Sequence, residues 1–434
     1  MREMKDSGVA WIGEIPANWK IVPLKSLFSF GKGLPITKDN LEDTGIPVIS
    51  YGQIHAKWNS GVTTHRELLR YVNESYLDTN PQSLVRRGDL IMADTSEDRE
   101  GCGNCAYVDT DETLFAGYHT IILRSINETD NKYLAYLFLT DSWRSQIRQA
   151  VSGVKLFSVS RRILGSASVI VPDNADEIVA YLDDKCAQVN TLISNVQAQI
   201  EKLKAYKQSL IAEVVTKGLD PTVPMKDSGF EWIGEIPAHW GVTRIKNMFE
   251  LWNERNDEAD LTKVNLISLY TDLGVVQHSD LTATTGNRAV TAEGYKIVRK
   301  HDIVVNIILC WMGAVGMSQY DGVTSPAYDI YRPLKDTNSE YYHYLFRTNR
   351  FNGECYRYGR GIMMMRWRTY STEFRAINIP CPPAEEQKKI VTHLNEKCNK
   401  IDQLIAIKQA KIEKLEQYKR SLIYEYVTGK REVS

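Results

Sequence analysis

Two stretches of the chain carry cations with no carboxylate among them, a pattern suited to holding a polyanion. Residues 142–172 contain Arg144, Arg148, Lys155, Arg161 and Arg162 and no Asp or Glu. Residues 355–372 are again free of acids and carry Arg357, Arg360, Arg366 and Arg368 beside Tyr356, Tyr358, Trp367 and Tyr370. Arg and Lys neutralise phosphates, and Arg can also fork onto guanine in the major groove. A basic face against an acidic partner, or simple solvation, would use the same residues. Recurrence at matching places in the chain favours nucleic acid.

Bond-making chemistry has no comparable signal. There is no G-x-x-x-x-G-K-[ST] and so no phosphate-cradling P-loop. Asp257-Glu258-Ala259-Asp260 spells a helicase tetrapeptide but follows a polar run rather than an apolar strand. No Asn-Pro-Pro-aromatic loop of an amino-methyltransferase is present; Asn80-Pro81-Gln82 and Cys381-Pro382-Pro383 are not that loop. Glu386-Gln387-Lys388 has the E-x-K spacing of metal-dependent nucleases, with no suitable acidic partner upstream. Cys102-Gly103-Asn104-Cys105 has zinc-knuckle spacing without a second pair, and a loop with two thiols fits better. No metal site and no catalytic residue is expected.

Composition narrows the class further. The 434 residues are 43% hydrophobic and 25% charged, which suits several packed domains and not wholesale disorder. Lys plus Arg is 53 against 54 Asp plus Glu, so any polyanion site must be a local patch on a neutral chain. Seven cysteines without dense spacing do not make a disulfide framework. The opening residues carry Glu3, Lys5 and Asp6 and no apolar signal region. Residues 303–317 are the best membrane candidate, yet as a helix they reach only ~22 Å of a ~30 Å hydrocarbon core. Their β-branched residues and glycines suit buried strands. A soluble protein of the reducing cytoplasm is expected.

The elements that must position the cations come in duplicate. Residues 4–19, MKDSGVAWIGEIPANW, match residues 225–240, MKDSGFEWIGEIPAHW, at 13 of 16 positions. Residues 200–216 and 412–428 match at 12 of 17. Fainter echoes pair Val85-Arg86-Arg87-Gly88-Asp89 with Val298-Arg299-Lys300-His301-Asp302, and Tyr136-Leu137-Phe138-Leu139-Thr140 with Tyr344-Leu345-Phe346-Arg347-Thr348. Each half opens with short β-branched runs between Gly, Asn and Asp turns, which predict strands. Each half closes on a heptad seam. Leu182, Cys186, Val189, Ile193, Val196, Ile200 and Leu203 predict one helix from about 176 to 216, ~60 Å long at 1.5 Å per residue. Leu394, Cys398, Ile401, Ile405, Ile412 and Leu415 predict its counterpart from about 384 to 428. A seam this long, present twice, favours pairing of the two helices over each packing on its own half.

With these motifs in hand, the chain resembles the specificity subunit of type I restriction–modification enzymes over almost its whole length. The resemblance rests on the MKDSG…WIGEIP…W opening of each half, the YLFxT segment and Tyr358-Gly359-Arg360-Gly361-Ile362. It rests also on Pro382-Pro383-Ala384-Glu385-Glu386-Gln387 and on the IEKLxxYKxSLI helix ends. Copy one departs, with Pro172-Asp173-Asn174-Ala175 in place of the proline and glutamate–glutamine signature.

The resemblance implies an α+β fold with two pseudo-twofold-related, strand-rich target-recognition domains, 1–172 and 221–383. They would be separated by two conserved helices, 173–220 and 384–434, in an antiparallel coiled coil. It further implies that each domain reads one half of a bipartite, asymmetric sequence in double-stranded DNA. The helices would set the spacing and dock two methyltransferase subunits, with restriction/translocase subunits joining the full complex. The subunit itself would be non-catalytic and bind no cofactor. S-adenosylmethionine would belong to the methyltransferase subunits, and ATP and Mg2+ to the translocase. A non-catalytic coiled-coil scaffold with two adaptor domains is the alternative.

Overall fold

The computed structural model describes residues 3–127, 131–280, 291–361 and 367–433. They form two units, one of Met1–Val196 with Ala410–Ser434 and the other of Gln197–Gln409. The division cuts through both long helices rather than falling at their starts, so each unit holds the first part of one and the last part of the other.

Each unit is built on the same four-stranded antiparallel sheet. In the first the order is Cys105–Tyr107, Leu90–Ala93, Thr120–Ser125, Phe28–Lys32. In the second it is Val315–Met317, Ile303–Asn306, Tyr328–Pro333, Phe249–Trp252. Leu90–Ala93 and Ile303–Asn306 are buried at every position, as continuous apolar runs demand when both faces of a strand are covered. The segment weighed as a membrane span is therefore two buried strands, Ile303–Asn306 and Val315–Met317, paired with each other. Among the described residues no helix is long and apolar enough to cross a membrane.

Each half adds a second group of strands, more continuous in the first. The first unit has a second four-stranded sheet, Arg70–Val72, Ile46–Ile49, Leu114–Ala116, Leu84–Val85, with one parallel pair at its centre. The second unit has two pairs there, Ile267–Tyr270 with Gly274–Gln277 and Lys296–Val298 with Gly322–Thr324, joined by an isolated parallel bridge between Leu266 and Val323.

The repeated motifs turn out to be the structural joints. The DSG of each opening is the turn of a hairpin, Met4–Asp6 with Glu14–Pro16 and Met225–Asp227 with Glu235–Pro237. Asp6 accepts from the Gly8 amide at 3.0 Å and Asp227 from Gly229 at 2.9 Å, local bonds that fix the turn. In YLFxT the threonine caps the following helix: Thr140 Oγ1 accepts from Trp143 N and Thr348 Oγ1 from Phe351 N, both at 3.3 Å.

The echo around Asp89 and Asp302 is a turn with a buried carboxylate. Gly88 and His301 stand in the left-handed region, at φ 89 and 74. Each aspartate accepts from the amide three residues before it and meets an arginine of the neighbouring strand, Asp89 with Arg124 at 2.7 Å and Asp302 with Arg332 at 3.4 Å. The Asp89 side chain is 3% exposed. Asp89→Ala, which leaves a partly buried Arg124 uncompensated, is expected to destabilise the first unit by about 3 kcal/mol in denaturant unfolding. The isosteric Asp89→Asn should cost less, because it keeps the bond to the Arg86 amide.

The long helices run Ala175–Lys217 and Ala384–Val427. In the first unit Tyr181 packs on Tyr426 with ring centroids 4.5 Å apart, and Lys419 Nζ donates to Asn190 Oδ1 at 3.0 Å. In the second unit Lys408 Nζ donates to Gln199 Oε1 at 2.6 Å and Lys207 pairs with Asp402 at 2.7 Å. In both, numbers rise along one helix as they fall along the other, so the segments run antiparallel. Leu182, Val189, Val196, Ile200, Leu394 and Ile401 are buried; Ile193, Leu203, Ile405, Ile412 and Leu415 are half-buried. Lys207 and Lys408, which interrupt the apolar seam, make the cross-helix bonds just described.

Each helix end is received by an opening motif. Gly218 and Gly429, at φ 76 and 68, follow the helices in the left-handed conformation that ends them. A Cβ on Gly429 would collide with the Pro16 ring and come within 3.0 Å of Trp19; one on Gly218 would meet Trp240 at 3.2 Å. Buried tyrosines tie the same ends: Tyr133 Oη donates to the Val427 carbonyl and Tyr341 Oη to that of Val215, both at 2.7 Å.

Candidate nucleic-acid interface

The two acid-free stretches are more helical than their place in a strand-rich region predicts. Residues 142–172 include most of helix Asp141–Ala150, all of Arg161–Ser166 and the strand Ser168–Val171. The second stretch holds the end of helix Asn349–Tyr358 and the start of Ser371–Ala376. Short helices capped by Thr140, Ser160 and Thr348 carry Arg144, Arg148, Arg161, Arg162 and Arg357, with Arg161 and Arg162 in a first turn and Arg148 and Arg357 in last turns.

The five cations of the first stretch separate into two groups. Arg144 and Arg148 are not the free cations that their sequence context predicts. Arg144 Nε donates to the Phe138 carbonyl at 2.7 Å, and burial pushes its pKa down. Arg148, 16% exposed, lies against Glu100 at 3.0 Å and Asp141 at 3.1 Å. Asp141 immediately precedes the stretch and Glu100 is 48 residues from Arg148, which is why the local count missed them. Lys155, Arg161 and Arg162 are exposed, and none pairs with a carboxylate among the described residues.

In the second stretch Arg357 is 64% exposed but bonded twice to Glu354, at 2.5 and 2.9 Å, and its guanidinium lies over the Tyr358 ring. Hydrogen bonding to Glu354 holds the Arg357 pKa above its ordinary value. Arg360 pairs with Glu373. Its backbone bridges to Arg368, with N–H to O distances of 2.9 and 3.0 Å in the two directions. Trp367 stacks on Tyr356 at 4.9 Å and donates its indole N–H to the Tyr356 carbonyl, so the two arginines share a rigid aromatic base. Arg368 is exposed. Arg366 lies outside the described residues. The exposed cations of the two stretches that pair with no carboxylate among the described residues are thus Lys155, Arg161 and Arg162 in one unit and Arg368 in the other.

The motifs that could have meant catalysis have structural work. Glu386 accepts from His239 Nε2 at 2.6 Å and Trp240 Nε1 at 2.9 Å. Gln387 accepts from the Asn338 amide at 3.0 Å and donates to the Pro382 carbonyl at 2.9 Å. The glutamate–glutamine signature thus pins the start of the long helix to its opening motif. In copy one, Asn18 and Asp173 make the corresponding bond. Cys102 and Cys105 are buried core residues, and burial pushes the Cys105 thiol up to about 12. Among the described residues no three His, Cys, Asp or Glu side chains converge as a metal site.

Comparison with known proteins agrees with this architecture. The family model described as "Type I restriction modification DNA specificity domain" matches residues 16–202 and 237–417. The chain is 24% identical over 430 residues to the MjaX type I restriction enzyme specificity subunit of Methanocaldococcus jannaschii, covering 96% of this chain and 95% of that one. It is 24% identical over 213 residues to the MjaVIII specificity subunit of the same organism, 47% of each chain. Among solved structures, one described as showing complex assembly and conformational transition of the type I R-M system superposes with a TM-score of 0.67. The identity is 15%, over 95% of this chain and 98% of that one. The HsdS subunit of Thermoanaerobacter tengcongensis superposes with a TM-score of 0.50 at 15% identity, over 96% and 98%. With two domain matches that span most of its length, the chain belongs to the type I restriction–modification DNA specificity family.

Proposed function

We propose that this chain is the sequence-reading subunit of a type I restriction–modification complex, each unit reading one half of a bipartite, asymmetric DNA target. The observation that carries the reading is that both units keep one sheet and one set of joints. They differ in how continuous the second group of strands is and in their exposed cations, as two heads of common descent and separate base preference would. The long helices set the separation of the half-sites and dock two methyltransferase subunits; restriction/translocase subunits complete the assembly. The chain performs no bond chemistry itself. S-adenosylmethionine acts on the methyltransferase subunits, and ATP and Mg2+ on the translocase.

Exchanging residues 240–380 for the same region of a relative tests the division of labour. Methylated-site mapping in a host carrying the exchanged chain should show one half of the target replaced and the other half kept. Changes in both halves would refute independent heads. If the chain were a coiled-coil scaffold with adaptor domains, the purified complex would bind duplex DNA without salt dependence or not at all.

A further inference from the structure

Four strand ends of the first unit meet at one place. Tyr51 comes just after strand Ile46–Ile49, Asp94 after Leu90–Ala93 and Tyr118 after Leu114–Ala116, while His119 immediately precedes Thr120–Ser125. The Tyr51 ring is edge-on to Tyr118 at 5.5 Å and to His119 at 5.4 Å. Asp94 Oδ1 lies 3.3 Å from His119 Nδ1 and accepts from Thr95 Oγ1 at 2.8 Å. Asp94 Oδ2 has no hydrogen-bond partner among the described residues, and the side chain is 29% exposed. His119 is held at φ 54, a left-handed conformation unfavourable for a residue with a Cβ, with its ring 56% exposed. Strain of this kind persists where the surrounding structure enforces it, and it concentrates at functional sites.

The same place receives the free cations. Strand Phe157–Ser158 pairs with Thr95–Ser96, and the Val159 amide donates to the Asp94 carbonyl at 2.7 Å. Lys155 lies just before that strand, and Arg161 and Arg162 just after it. The exposed 97–100 loop that follows carries Glu97, Asp98 and Glu100, with Glu100 paired to Arg148 and the Arg99 guanidinium over the Phe157 ring at 5.6 Å. A duplex backbone met by Lys155, Arg161 and Arg162 would set its groove beside Asp94, because strand Phe157–Ser158 and the Val159 amide hold those cations next to the 94–96 segment. In the second unit the matching bond, Thr369 N–H to the Ile307 carbonyl at 2.8 Å, places Ile307 where the first unit has Asp94. The polar patch belongs to one head.

Resting on the DNA-reading function proposed above, we infer that Asp94, framed by Tyr51, Tyr118 and His119, is a base-reading group of the first half. It accepts a hydrogen bond from the N4 amino group of a cytosine in the major groove. A carboxylate only accepts, and in the major groove only cytosine and adenine offer a donor. Adenine sets its N6 donor beside the N7 acceptor, which would repel the second carboxylate oxygen; cytosine has no such neighbour on its edge. An amide in place of the carboxylate reverses the preference, since it matches adenine N6 and N7 together.

The test uses the full-length chain with its methyltransferase subunits, selecting from a pool of randomised duplexes at two salt concentrations. Wild type, Asp94→Asn and Asp94→Ala are compared, with thermal unfolding as the check on folding. Asp94→Asn should lower a cytosine preference at one position of one half-site about tenfold or more and admit adenine there. The other half-site and the salt slope should not change. Asp94→Ala should lose the preference without gaining adenine. Unchanged preferences in two folded variants would overturn the assignment while leaving the DNA-reading function standing. If the wild type enriches no sequence, that function itself fails, and Asp94 with it.

Discussion

Alanine at Lys155, Arg161 and Arg162 together is expected to flatten the salt dependence of duplex binding by up to about 2.7 units of log–log slope. The figure follows from about 0.9 unit for each phosphate that is no longer neutralised. All three side chains are exposed and unpaired with carboxylates among the described residues, so their removal takes away positive charge without stranding a negative one. Thermal stability should be nearly unchanged. The second head behaves differently. Arg368→Ala should cost about one unit of slope with little loss of stability. Arg357→Ala leaves the Glu354 side chain, 6% exposed, without its partner, and should destabilise the second unit as well as weaken binding. Titration of each variant against one duplex over a range of salt concentrations, with melting curves alongside, separates the two effects. A triple variant of the first head with the wild-type slope would take that face off the DNA.

Deleting residues 199–205 together with 403–409 should abolish binding to the native target while leaving the protein folded. The pairs Gln199–Lys408 and Lys207–Asp402 define which levels of the two helices face each other in the second unit. Removing one heptad from each at facing levels keeps the apolar seam in register, and keeps Lys207 opposite Asp402. The helices become ~10 Å shorter. That corresponds to roughly three base pairs of spacer, and three base pairs also turn the second half-site by about a third of a turn. A deletion in one helix alone mismatches the seam and should chiefly destabilise. Gel-shift assays on targets with the native spacer, alongside circular dichroism, check both statements. Full affinity of the folded double deletion for the native spacing would show that the helices do not measure the target.

Periodicity and repetition are local properties, and what they govern was legible in the chain. The heptads of 182–203 and 394–415 placed both long helices, because a side-chain stripe at 3.5-residue spacing can be buried in only one way. The duplicated openings revealed two halves, because turn bonds such as Asp6 to Gly8 involve neighbours in sequence. The apolar run 303–317 announced buried strands for the same reason.

What depends on partners distant in sequence was not legible. Arg148 looked free until folding set Glu100 beside it, 48 residues away, and Arg360 until Glu373 closed on it. The Pro-Pro-Ala-Glu-Glu-Gln motif read as the start of a helix. Only the fold shows that it holds His239 and Trp240, roughly 150 residues earlier. Asp94, His119, Tyr51 and Tyr118 carried no motif, because their convergence is produced by the order of strands in two sheets. A net charge counted along the chain weights neighbours in sequence, whereas the field at a surface is a sum over neighbours in space. The sequence therefore determined the long helices, the duplication and the family. The tertiary structure alone decided which cations are free, because the carboxylates that neutralise the others approach only when the chain folds.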